Sequence, residues 1–194
     1  FGTREQGNKL TAQYLHQDYQ RLVYEVVETL WKGREAHPYI NLVNSLSYLP
    51  GVSQLFENAK QLFRYTVLVS ASSLHLAERI QRDHGIDRVY ANELVIKDGK
   101  VSGEFNWRIG AGGITKAEVV REVCKELNLR LEQAVFIGDT HNDAEAFKIV
   151  GKPIAFNSTK KELEKIRNIM GIDSERLIVV DGNNLEYVLP HLQI

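Results

Sequence analysis

Residues 134–143 read Ala134-Val135-Phe136-Ile137-Gly138-Asp139-Thr140-His141-Asn142-Asp143. Four apolar residues run into Gly-Asp, and a helical segment, Ala144 to Val150, follows. A short apolar run bounded by a turn signal reads as a buried strand of a parallel sheet. Gly138 lets the backbone turn sharply where the strand ends. Asp139, Asn142 and Asp143 are thereby predicted to gather at the C-terminal edge of a strand. That edge is where open α/β sheets bind ligands.

Outward from this stretch the pattern alternates. Upstream, the spacing predicts a helix over Val52 to Phe63 and a strand over Tyr65 to Val69 that ends in Ser70-Ala71-Ser72. A helix over Leu74 to His84 and a short strand over Arg88 to Ala91 follow. Asp98-Gly99, between Glu93–Ile96 and Lys100–Gly103, is a hairpin signal. Thr115 and Glu118 have capping-box spacing, so a helix starts there and runs to about Asn128. Downstream come a strand over Pro153 to Phe156, a second capping box at Thr159 and Glu162 opening a helix to Met170, a strand over Leu177 to Val180 and a helix over Leu185 to Leu192. Such alternation implies an α/β fold, a parallel sheet with helices on both faces. Before Pro50 the pattern differs. Leu10, Tyr14, Leu22, Val26 and Leu30 recur at near-helical spacing, as one long helix or two short ones. Gly33 breaks it, and a helical piece covers Tyr39 to Leu46. The chain therefore divides into a helical unit, residues 4–48, and an α/β unit, residues 49–194.

Lys and Arg number 24 against 25 Asp and Glu, so no basic excess argues for nucleic acid. Cys124 is the only cysteine, which excludes a disulfide within the chain and points to a reducing, cytoplasmic setting. No apolar run approaches the ~20 residues that span a bilayer, so no membrane partner is expected.

Three chemistry-bearing features fall on three βα units. Ser70 ends a strand, where its hydroxyl and the following N–H groups, beginning with Ala71, can hold an anion. Lys116 lies in the first turn of a capped helix, a poor place for a cation unless it faces negative charge. Asp139 and Asp143 suit a hard cation such as Mg²⁺. Hydroxyl, lysine and metal-binding carboxylates are the parts of a phosphoryl-transfer site. Each residue alone has an ordinary reading: a turn or cap for Ser70 and Asp139, a solvated helix position for Lys116, a surface or substrate-side position for His141, a core position for Cys124. The Gly110-Ala111-Gly112-Gly113 loop reads equally as a phosphate cradle or a connection. The joint order of the three features is what carries the argument.

Val67-Leu68-Val69-Ser70, then Lys116, then Gly138-Asp139-Thr140-His141-Asn142-Asp143 resembles the second, third and fourth motifs of the haloacid dehalogenase (HAD) superfamily. Val89-Tyr90-Ala91-Asn92-Glu93-Leu94 followed by Lys97-Asp98-Gly99-Lys100-Val101-Ser102-Gly103 looks like its phosphoserine phosphatase-like branch. The resemblance implies a Rossmann-like core with residues 4–48 as a small helical cap after the first strand. It implies a Mg²⁺-dependent phosphatase that hydrolyses a small phosphomonoester through an aspartyl-phosphate. Ser70 would bind phosphoryl oxygens with Ala71, Lys116 would offset charge, and Asp139 would ligate Mg²⁺. Asp143 would orient Lys116 or support the metal shell, and Asn142 would contact substrate or phosphate.

One departure stands out. The first motif of that family, Asp-x-Asp-x-Thr, is absent, and Phe1-Gly2-Thr3 resembles its tail with the aspartates gone. The expectation is that the motif and its strand lie ahead of Phe1. Transfer of phosphate to an acceptor alcohol and non-catalytic phosphate binding remain as rival functions. The apolar face of a cap helix offers a surface for a second copy.

Overall fold

Thr115 and Glu118 cap one another as their spacing predicts. The Glu118 N–H donates to Thr115 Oγ1 at 3.1 Å, and the Thr115 N–H to Glu118 Oε2 at 2.6 Å. The computed structural model describes residues 1–15, 17–111 and 113–193; Gly112 of the glycine-rich loop lies outside them. The chain divides into two compact units, one of residues 1–47 and 67–114, the other of residues 48–66 and 115–194.

In the first unit, α1 (Arg4–Tyr14) precedes α2 (Tyr19–Tyr24), which widens into a π-helical stretch, Glu25–Trp31. The Asp18 side chain caps α2 by accepting from the Arg21 N–H at 2.9 Å. α3 (His37–Ser45) carries Pro38 in its first turn, where the missing N–H costs nothing. The sheet has the order β1 (Val67–Ser73), β2 (Arg88–Lys97), β3 (Lys100–Asn106), with α5 (Leu74–His84) between β1 and β2; α4 (Val52–Leu62) belongs to the other unit. β1 and β2 are parallel, and β2 and β3 form the antiparallel hairpin that Asp98-Gly99 announces.

Three local expectations shift here. β1 does not stop at Val69 but continues, with an irregular register, to Ser73. The two short strands expected around Asn92 are one ten-residue strand. β3 does not end at Gly103 but extends to Asn106. The helical segment packs on the hairpin: Val27, Leu94 and Val101 form a buried cluster with Val23, Trp31, Tyr39 and Phe105 against it. Residues 33–36 run beside β3, with the Gly33 N–H on Val101 O at 2.8 Å and the Val101 N–H on Arg34 O at 2.9 Å.

The second unit holds an all-parallel sheet, β4 (Val135–Gly138), β5 (Lys152–Phe156) and β6 (Ile178–Val180), with β5 central. Side chains alternate across β5, and so do the cores. Ile154 and Phe156 face a cluster with Leu55, Val180, Val188 and Leu192. Ala155 faces Ala144, Phe147, Ile166 and Met170. The first face is covered by α4 (Val52–Leu62) and a 3₁₀ stretch, Leu185–His191, the second by α7 (Ala144–Ile149) and α8 (Lys160–Met170). Pro190 keeps the last element from becoming the α-helix that its apolar spacing suggests. Gly51 opens α4 at φ 82°, and a Cβ there would lie 2.2 Å from Asn184 Oδ1, so only glycine admits the final stretch so near.

Candidate active site

The end of β4 is built around Asp143. Its side chain is 1% exposed, and Lys116 Nζ, on the first turn of α6 (Lys116–Glu126), donates to its Oδ1 at 2.6 Å. Oδ2 accepts from the Asp139 N–H and the Thr140 N–H, each at 3.0 Å. A buried carboxylate survives only when its charge is paired and its lone pairs are used, and both conditions hold here. The negative partner that Lys116 requires is thus supplied by the chain itself. Gly138 makes this possible. A Cβ on it would lie 2.4 Å from Asp143 Cγ.

Asp139 differs. The residue is exposed. Desolvation by neighbouring protein raises its pKa above the ordinary carboxylate value, the Asp143 charge adds to this, and Lys116 offsets part of it. Its main-chain carbonyl is fixed by Ser158 Oγ–H at 2.7 Å. An exposed carboxylate with a second carboxylate beside it can hold a hard cation. Among the described residues no group of three or more His, Cys, Asp or Glu forms a ready cage, so a cation here would take remaining ligands from solvent or substrate.

Asn142 is exposed. His141, which the sequence places as a surface or substrate-side residue, is held tightly. Its main-chain N–H and its Nδ1 both meet Glu162 Oε2, at 2.9 and 2.6 Å. Glu162 also accepts from Lys165 Nζ at 2.8 Å, and the Lys165 and His141 hydrogen bonds lower its pKa to about 2. Glu162 and His141 are 21 residues apart, and nothing in either local pattern announces their meeting.

In the first unit, Ser70 Oγ accepts from the Ser72 N–H at 3.1 Å, an ST turn at the end of β1. Ala71 is exposed at the next position. The N-cap of α5 is Ser73, not Ser70: its Oγ accepts from the Leu76 N–H at 3.3 Å and meets Tyr39 Oη at 2.5 Å. Burial raises the Tyr39 pKa, which keeps that phenol neutral. Sequence reasoning also gave no role to Asn92, which is fully buried. Its Nδ2 donates to Ala71 O and Ile109 O, each at 3.0 Å, and its Oδ1 accepts from the N–H groups of Arg108 and Ile109 at 2.8 and 2.7 Å. An amide inside an otherwise apolar strand was the available signal. It ties the loop after β3 to the turn after Ser70.

The family of haloacid dehalogenase-like hydrolases matches residues 3–148. A phosphoserine phosphatase of Archaeoglobus fulgidus is 26% identical over 179 residues, 91% of this chain and 51% of that protein. One from Methanocaldococcus jannaschii is 33% identical over 93 residues, 47% of this chain and 44% of that protein. The chain spans about half the length of the curated relatives it matches. Among solved structures, a phospho-aspartyl intermediate analogue of phosphoserine phosphatase superposes with a TM-score of 0.77 at 21% identity, covering 98% of this chain and 86% of that one. A substrate-bound phosphoserine phosphatase complex gives the same TM-score at 22% identity and the same coverage. The likeness to these structures shows a shared fold, and the family match carries the assignment: the chain belongs to the haloacid dehalogenase-like hydrolases.

Proposed function

We propose that this chain is part of a Mg²⁺-dependent phosphomonoester hydrolase acting on a small phosphorylated metabolite, with O-phosphoserine the first candidate. One observation carries the reading: a buried Asp143–Lys116 pair beside an open Asp139 at the end of β4. The names of the relatives support the substrate class. HAD phosphatases in general use Mg²⁺ and pass through an aspartyl-phosphate.

In this reading Asp139 holds the cation, and its raised pKa fits that role, since a dication offsets both the desolvation and the Asp143 charge that raise it. When bound, Mg²⁺ would neutralise charge on the phosphoryl oxygens. Asp143, with both oxygens in use, orients Lys116. Lys116 offsets negative charge that develops on the phosphoryl group. Ser70 and the Ala71 N–H bind phosphoryl oxygens, and Asn142 contacts substrate. Residues 4–48 act as a cap that selects the substrate, residues 49–194 as the catalytic core, and the protein works in the cytoplasm. No helix among the described residues is long and apolar enough to cross a membrane. The attacking carboxylate of an aspartyl-phosphate route belongs to an Asp-x-Asp pair, which these 194 residues do not contain.

The test is phosphate release from O-phosphoserine and a panel of phosphomonoesters by the full-length protein, with Mg²⁺ and with chelator. Mg²⁺-dependent release that falls at least about 100-fold in Asp139→Asn supports the reading. Near-wild-type turnover in that variant refutes the metal assignment. Phosphate appearing on an added alcohol marks a phosphotransferase, and binding without turnover marks a phosphate-binding domain.

A further inference from the structure

The chain contains two similar helix starts, Thr115-Lys116-Ala117-Glu118 and Thr159-Lys160-Lys161-Glu162. In both, threonine accepts from the main-chain N–H three residues on, at 3.1 and 3.2 Å. In the first, the glutamate returns the bond to the threonine N–H. In the second, the Glu162 carboxylate is spent on the turn after β4 instead, where Oε2 accepts from both His141 N–H and His141 Nδ1. The geometry is costly to an ordinary cap, because the Thr159 end gives up its reciprocal partner.

The turn itself shows what is gained. Asp143 Oδ2 satisfies the N–H groups of Asp139 and Thr140, and the Asp143 N–H satisfies Thr140 O at 2.9 Å. The remaining polar groups on this path, Asp139 O and His141 N–H, are satisfied from outside, by Ser158 and Glu162. Ser158 lies just before the N-cap of α8 and Glu162 in its first turn, and Ile166 and Met170 anchor that helix in the core at 0% and 2% exposure. Lys165 fixes the second Glu162 oxygen, so the carboxylate is oriented at both ends. The 139–141 turn is therefore clamped between Asp143 and the first turn of α8.

We propose that Glu162 is a positioning residue for the Asp139 carboxylate, acting through His141. The proposal rests on the phosphatase reading only for the ligand that Asp139 receives. Calorimetric Mg²⁺ binding and amide hydrogen exchange at His141 test it in the full-length protein. Glu162→Ala is expected to speed exchange at the His141 amide and to weaken Mg²⁺ binding about tenfold, the usual cost of removing a residue that orients a metal ligand. Glu162→Gln retains an acceptor oxygen and is expected to restore Mg²⁺ affinity to within about threefold of wild type. His141→Ala, which keeps the main-chain N–H, reports the share carried by the ring and serves if Glu162→Ala does not fold. Its expected effect is a smaller loss of Mg²⁺ affinity, with the amide still protected. Wild-type exchange and wild-type Mg²⁺ affinity in Glu162→Ala would overturn the proposal. If wild-type protein binds no Mg²⁺, the phosphatase reading fails, and His141 exchange alone decides the positioning role.

Discussion

Lys116 Nζ and Asp143 Oδ1 lie 2.6 Å apart, with the aspartate side chain 1% exposed and the lysine 16%. The pair joins the first turn of α6 to the turn after β4. It is the only charge partner shown for Asp143 among the described residues.

Lys116→Met should leave a buried carboxylate that keeps its two N–H donors and loses its counter-charge. The expected cost is about 3 kcal/mol, read as a lower urea midpoint at unchanged slope. Adding Asp143→Asn should recover part of that loss, because a neutral amide needs no cation and its oxygen still accepts from Asp139 and Thr140. A double variant no more stable than Lys116→Met would mean that the ion pair is not what stabilises this turn.

Gly138→Ala places a methyl 2.4 Å from Asp143 Cγ. The backbone at Gly138 is not left-handed, so the damage is purely one of space. A destabilisation of about 1–3 kcal/mol is expected, together with loss of activity as Asp143 is pushed off Lys116. Full activity in Gly138→Ala would show that the turn yields without cost.

Asn92→Asp tests the polar knot of the first unit. An ionised carboxylate can accept from Arg108 and Ile109 but cannot donate to Ala71 O and Ile109 O. Setting oxygens against two buried carbonyls should cost about 3 kcal/mol at neutral pH. Thermal unfolding of the variant should improve on acidification, as the carboxyl regains a proton to donate.

The two shifted carboxylates near β4 act in opposite senses on stability. Glu162 has its pKa depressed from 4.5 to about 2, so the unfolded chain takes up its proton first as pH falls. Its contribution is complete above 4.5 and is lost between 4.5 and about 2. Asp139 is raised above 3.8, so its ionisation costs stability as pH rises through that value. In metal-free protein Asp139→Asn should therefore raise the Tm at neutral pH, while Glu162→Gln should flatten the acid limb of the Tm–pH curve. A fall in Tm for Asp139→Asn under those conditions would contradict the assigned sign.

What the sequence disclosed was local. The Thr115–Glu118 cap, the Asp98-Gly99 hairpin and the glycine before Asp139 each lie within a few residues, and their spacing is itself the mechanism. The relationships that it hid join distant positions: Glu162 with His141, Tyr39 with Ser73, Asn92 with Ile109. Each of those residues has an ordinary local reading, as a cap, a helix face or a strand position. Only tertiary packing decides which partner a buried polar group finds. The turn composition of Ser70-Ala71-Ser72 places the end of β1 at Val69, and the register does break there, but pairing with β2 resumes at Ser73 opposite Asn92.

The packing of Leu55 beside Val188 and Leu192 also dictates an order of events. α4 is made well before the residues that bury its apolar side, and before the Leu185 N–H that bonds Pro50 O at 2.9 Å. Residues 67–114 emerge in between and belong to the other unit. A nascent chain therefore carries α4 with its apolar face uncovered until β6 and the 3₁₀ stretch Leu185–His191 are released. Slow closure of that seam, rather than assembly of the β1–β3 sheet, is where misfolding and capture by chaperones would concentrate.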